Sequence, residues 1–109
     1  MSAPPEKQAV LIGSESLLIE CAQTLQALGF GIAAVVSGAA AVRRWATSNQ
    51  LALFAEPSQL LAADAPRSFA YLFSITNLDV LAPEVIALPT RAAINFHDGP
   101  LPEYAGLNT

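Results

Sequence analysis

Residues 9–36, AVLIGSESLLIECAQTLQALGFGIAAVV, decide the fold. Ala9, Val10, Leu11 and Ile12 form a continuous apolar run that ends at Gly13, which predicts a short buried strand. Leu17, Leu18, Cys21, Ala22, Leu25 and Leu28 then recur at helical spacing. Ser14 or Ser16 is placed to cap that helix, and Gly29 supplies its stop. Residues 31–36 are again apolar without interruption, a second buried strand. Strands that show no polar alternation are covered on both faces, which is the habit of parallel sheets. Strand, helix and strand in this order make a βαβ unit with a right-handed crossover.

The remainder of the chain repeats the pattern. A helix is expected to begin at Ser37-Gly38, run through Ala41 and Trp45, and fray near Asn49. Residues 51–54 read as a third, shorter strand, and Pro57-Ser58 opens a short helix over Leu60 and Leu61. Residues 69–75 form the most apolar strand, Pro83 starts one or two helical turns through Ala87, and residues 92–96 give a fifth strand. Apolar strands alternating with helices predict an α/β fold: a Rossmann-like parallel sheet with helices on both faces. Residues 1–8 are expected to be a flexible leader, and residues 9–109 one α/β domain, incomplete at its carboxyl end.

Composition narrows the function classes. The chain has 109 residues, of which 53% are hydrophobic and 13% charged, against about 25% charged in ordinary globular chains. So greasy a small domain is expected to share its apolar surface with the rest of a larger protein or with a second copy of itself. The net charge of −4, with only five basic residues, argues against a nucleic-acid partner. Arg43-Arg44 is the sole basic pair and reads as a solvated helix face. One cysteine, Cys21, and one histidine cannot assemble a metal cluster or a disulfide within the chain, which fits a reducing, cytoplasmic setting. The polar, proline-containing first residues are unlike a secretory signal. The longest apolar stretch, residues 29–42, is broken by glycines and Ser37, so no membrane partner is expected.

The chemistry is concentrated in residues 93–106, AINFHDGPLPEYAG. Asn95 and His97 stand two residues apart at the end of the fifth strand, so both side chains leave it on one face. A stiff Gly99-Pro100-Leu101-Pro102 turn and Tyr104 follow. In a doubly wound sheet ligands bind beyond the carboxyl ends of the strands, and Asn95, His97 and the loop 76–82 fall at that edge. A lone histidine there is more often a structural residue; the paired asparagine and the proline-rich loop favour a site that aims hydrogen bonds at a reacting carbonyl.

The pattern Asn-x-His-x-x-x-Leu-Pro-x-Tyr-x-Gly, together with Leu81-Ala82-Pro83-Glu84-Val85 before it, resembles the signature of the 10-formyltetrahydrofolate-dependent formyltransferases. The resemblance is strong from Leu72 onward and only one of pattern before that. The continuous version in residues 95–108 is most similar to formyltransferase-like domains at the front of peptide-synthetase and polyketide assembly lines. It implies that Asn95 and His97 hold and polarise the formyl carbonyl while an amine attacks, with His97 also managing a proton. Each such donor is typically worth about 3 kcal/mol in the transition state. It also implies that the folate co-substrate lies against Asp79, Val80 and Leu81, although Val80 and Leu81 are equally suited to filling the core.

Three departures from the family pattern stand out. The family's third catalytic residue, an aspartate later in the chain, is not among these residues, and Asp98 points away from the face of His97. Gly99 replaces a common serine, and Ala105 a common basic residue. Glu15 puts a negative charge in the first loop, where related ribonucleotide enzymes bind phosphate. These residues alone are therefore expected to show no formyl transfer. Two functions follow from the resemblance: the folate-binding part of a formyltransferase acting on an amine, or an inactive docking or structural module of a larger synthase. A dinucleotide-binding domain is disfavoured, because Gly13 lacks the companion glycines of that fingerprint.

Overall fold

The strand nearest the amino terminus, β1 (Gln8–Ile12), lies at the centre of the sheet, with Ala9, Val10 and Leu11 fully shielded from solvent. This arrangement comes from a computed structural model that describes residues 3–62, 68–75 and 81–96. The helix α1 (Ser16–Ala27) leads to β2 (Gly31–Val36), and α2 (Ala40–Ser48) leads to β3 (Leu53–Phe54). After a 3-10 turn at Pro57–Leu61 come β4 (Tyr71–Ile75), the single-turn helix α3 (Pro83–Ile86) and β5 (Ala92–Phe96). All strand pairs are parallel, in the spatial order β3-β2-β1-β4-β5. The chain therefore has a Rossmann-like α/β fold, its winding reversing between β1 and β4.

Two cores sit on the two faces of the sheet. On one face Leu18 and Ala22 of α1 and Val42 and Ala46 of α2 pack on Ala9, Leu11, Val35, Phe73 and Ile75. On the other, Leu60 of the 3-10 turn and Val85 of α3 pack on Val10, Ile12, Ala34, Val36 and Leu72. The β1–β2 register shifts between Ala9 and Val10, and Ala33 and Ala34 both contribute to this second core. Leu11, Leu18, Leu72 and Ile75 are among the largest fully buried side chains. Burying each of them contributes about 1.5–3 kcal/mol, an upper estimate because the unfolded chain is itself partly collapsed.

The strand and helix boundaries depart from expectation where local hydrogen bonds compete. Neither Ser14 nor Ser16 caps α1: the N-cap is Glu15, extended and without a side-chain cap bond, and Ser16 is the first helical residue. The second helix starts at Ala40, not Ser37, because the Ser37 hydroxyl accepts the Ala39 N–H at 3.1 Å and holds the intervening residues in a turn. The third strand is confined to Leu53–Phe54; Leu51 is engaged by the end of α2, its N–H donating to the Ala46 carbonyl at 2.9 Å. Gln8, placed in the leader by its polarity, belongs to β1 and pairs with Gly31.

Both long helices end in the same way. Past α1, the Phe30 N–H donates to the Leu25 carbonyl and the Gly29 N–H to that of Gln26, with Gly29 at φ 92°. Past α2, Leu51 donates to Ala46 and Gln50 to Thr47, with Gln50 at φ 59°. These are paired Schellman terminations, one using glycine at the left-handed position and one a residue that bears a Cβ.

Candidate functional site

The position of Asn95 follows from the alternation of β5. Ile94 packs on the first core and Phe96 stacks on Phe73 at 5.7 Å, so Asn95 between them belongs to the opposite face. There it neighbours Ser74 of β4 in the parallel register, just as Ala93 neighbours Leu72. Asn95 is exposed at the carboxyl end of the sheet, and its amide has no hydrogen-bond partner among the described residues. Leu81 packs from above onto the second core and is half-buried, so it shares that face with Asn95. The structure thus brings Leu81 and Asn95 to one side of the sheet; Asp79, Val80 and His97 lie outside the described residues.

The floor of this edge is tight. Gly13, at the end of β1, approaches β4 so closely that a Cβ placed on it would lie 2.5 Å from the Ile75 carbonyl oxygen. The Gly13 N–H donates to the Val36 carbonyl at 3.1 Å, tying the ends of β1 and β2 together. Beside it, over the ends of β1 to β3, lies a shallow cavity of about 120 Å³, lined by Gly13, Ser14, Ser37, Gly38, Ala55 and Pro57. Neighbouring strands are about 4.8 Å apart, which puts the end of β1 roughly 10 Å across the sheet from Asn95. Arg43 is not freely solvated: it is half-buried and donates from Nη1 to the Ser37 carbonyl at 2.8 Å, whereas Arg44 is exposed as the sequence suggests.

A second, apolar groove of about 330 Å³ runs on the other face, between α1 and the strands β4 and β5. Leu17, Leu25, Phe73 and Phe96 line it, with Cys21 and Glu20 from the helix. Burial first, and the neighbouring Glu20 carboxylate second, push the Cys21 thiol above its ordinary pKa, so it stays protonated and a poor nucleophile. No group of three or more His, Cys, Asp or Glu among the described residues is placed to hold a metal ion. No helix among the described residues is long and apolar enough to cross a membrane.

Comparison of the chain with protein-family models, curated proteins and solved structures finds no match. The site therefore rests on residues and geometry. One polar residue on its face went unnoticed at the level of sequence: Ser74, a small polar side chain between Phe73 and Ile75, 6% exposed. Its signal was there, because a single serine in a run selected for burial needs a hydrogen-bonding reason.

Proposed function

We propose that this chain is the amino-terminal, folate-binding part of a formyltransferase-like protein that transfers a formyl group from 10-formyltetrahydrofolate to an amine, within natural-product biosynthesis. The observation that carries the proposal is Asn95: a polar amide at the carboxyl end of β5, exposed and unpartnered among the described residues, in the motif whose resemblance is to formyltransferases. Its placement suits the role. The side chain stands near the carboxyl end of β5 in a Rossmann-like sheet, on the face that also carries Leu81, where a pterin ring has an apolar neighbour.

The chemistry assigned to the residues is simple. The Asn95 Nδ2 donates a hydrogen bond to the formyl oxygen, and that bond strengthens as attack of the amine turns the oxygen into an oxyanion. His97 is the second donor and takes part in proton movement, and Asp79, Val80 and Leu81 supply the folate contacts. Formyl loss from N10 and amine deprotonation complete the transfer, the proton passing to the folate nitrogen.

The test is equilibrium binding of the stable analogue 5-formyltetrahydrofolate to the full chain. A saturable one-to-one isotherm, weakened about fivefold by Asn95→Ala as expected for one neutral hydrogen bond, supports the reading. Absence of saturable binding removes it and leaves the second function, an inactive docking or structural module of a larger synthase. That alternative draws on β5 itself, an edge strand of five residues with no charge, whose Phe96 is 42% exposed.

A further inference from the structure

Two polar side chains are buried among the described residues, Ser37 and Ser74. Ser37 is explained by its bond from the Ala39 N–H. Ser74 is not: at 6% exposure its hydroxyl has no hydrogen-bond partner among the described residues. A hydroxyl taken out of water without a partner is costly, so a buried one calls for a specific acceptor or donor. The ladder leaves few choices. On one side Ser74 neighbours Ile12 of β1, on the other Asn95 of β5, and two residues back on its own strand stands Leu72. Asn95 is the polar side chain among these positions.

Paired positions in a parallel ladder lie about 4.8 Å apart and point to the same face. A hydroxyl and a carboxamide at such positions come within hydrogen-bonding distance by side-chain rotation alone. The consequence for an asparagine is specific. Its terminal torsion is broad and roughly two-fold, so an unconstrained amide presents either oxygen or nitrogen to a ligand.

We propose that Ser74 is a positioning residue: by rotation from the unbonded arrangement in the structure, its hydroxyl comes to donate to the Asn95 Oδ1 and so turns both Nδ2 hydrogens outward, away from the sheet. The proposal rests on the formyl-transfer reading only for what the amide then meets; the orientation itself concerns two residues of this chain. A fixed donor is what a developing oxyanion needs, because no free energy is then spent reorienting the amide during reaction. Ser74 does not itself reach the substrate.

The experiment is ¹⁵N relaxation of the Asn95 side-chain amide in the full chain, its signal assigned by loss in Asn95→Asp. In the wild type and in Ser74→Thr, which keeps the hydroxyl on a residue favoured in strands, an ordered amide with an order parameter above about 0.6 is expected. In Ser74→Ala the order parameter should fall well below that value, while backbone amide shifts outside β4 and β5 stay in place. Equal mobility in all three proteins overturns the proposal, as does an ordered amide that survives Ser74→Ala. Affinity for 5-formyltetrahydrofolate adds a second arm: Ser74→Ala should weaken it about as much as Asn95→Ala, and the double variant no further. A wild type that binds no folate would sink the functional reading, yet the relaxation result would still decide the role of Ser74.

Discussion

Gly13→Ala is the substitution whose effect the structure specifies most closely. The added Cβ would stand 2.5 Å from the Ile75 carbonyl oxygen and 3.3 Å from the Leu18 Cδ1. Ordinary contact begins near 3.4 Å, so β1 and β4 would have to separate by 3.4 − 2.5, or 0.9 Å, at their carboxyl ends. The obstacle is strand backbone, Ile75 being paired with Phe96 of β5, so it cannot swing aside as a side-chain tip would. Overpacking of this kind costs about 1–3 kcal/mol, and the smaller unfolded-state entropy of alanine returns about 0.4–1 kcal/mol. The net expectation is a loss of about 1–2 kcal/mol. Urea unfolding followed by circular dichroism reads it as a lower midpoint at unchanged slope. Gly31→Ala is the internal control. The atoms nearest its Cβ belong to the Gln8 side chain, the first at 2.7 Å, which moves away at the expense of the bond from Gln8 Nε2 to the Ala3 carbonyl. Its loss should stay below about 1 kcal/mol. A Gly13→Ala midpoint at or above wild type, or one no lower than that of Gly31→Ala, would refute the reasoning.

Three further outcomes are expected. Gln50→Gly should stabilise the chain by about 1 kcal/mol, because Gln50 holds φ 59° with a Cβ where the equivalent position after α1 is glycine; a lowered midpoint would contradict this. Alkylation of Cys21 by iodoacetamide should titrate above the ordinary thiol range, and Glu20→Gln should move the profile to lower pH, since burial and then the Glu20 charge raise this pKa. By linkage, a raised folded-state pKa gives stability that is complete below the unfolded thiol pKa and lost as pH rises through the folded one, so the loss of stability at alkaline pH, followed by circular dichroism, should be smaller in Cys21→Ala than in the wild type. At micromolar concentration the chain should sediment as more than one copy, given the uncharged five-residue edge of β5; a single 11.4 kDa boundary would count against that.

Much of the fold was legible because apolar runs and glycines mark its joints. The strands at 31–36 and 92–96 fall where the sequence puts them, the first between Gly29 and Ser37 and the second between Arg91 and His97. The parallel arrangement followed from the lack of alternation in β1, β2 and β4. What sequence could not give was hydrogen-bond competition: the Ser37 turn that delays α2, or the helix end that takes Leu51 from β3. Strand order was hidden too, so that Ser74 could not be placed beside Asn95 from the sequence, although Asn95 itself could be placed on a strand face by counting in twos. The burial of Ser74 depends on which strand lies next to it, a property no local pattern encodes.

The central place of β1 has a consequence for how the chain is made. On a ribosome β1 emerges first, and β2 and β3 can join one side of it soon afterwards. Its other side is closed only by β4, from Tyr71 on, after α1, α2 and the 3-10 turn have all appeared. Through that interval Val10 and Leu11, which end with no exposed surface at all, lie along an open ladder. The nascent half-sheet is thus the species that needs shelter, and a fragment ending at residue 62 would be a sticky intermediate held permanently in that state.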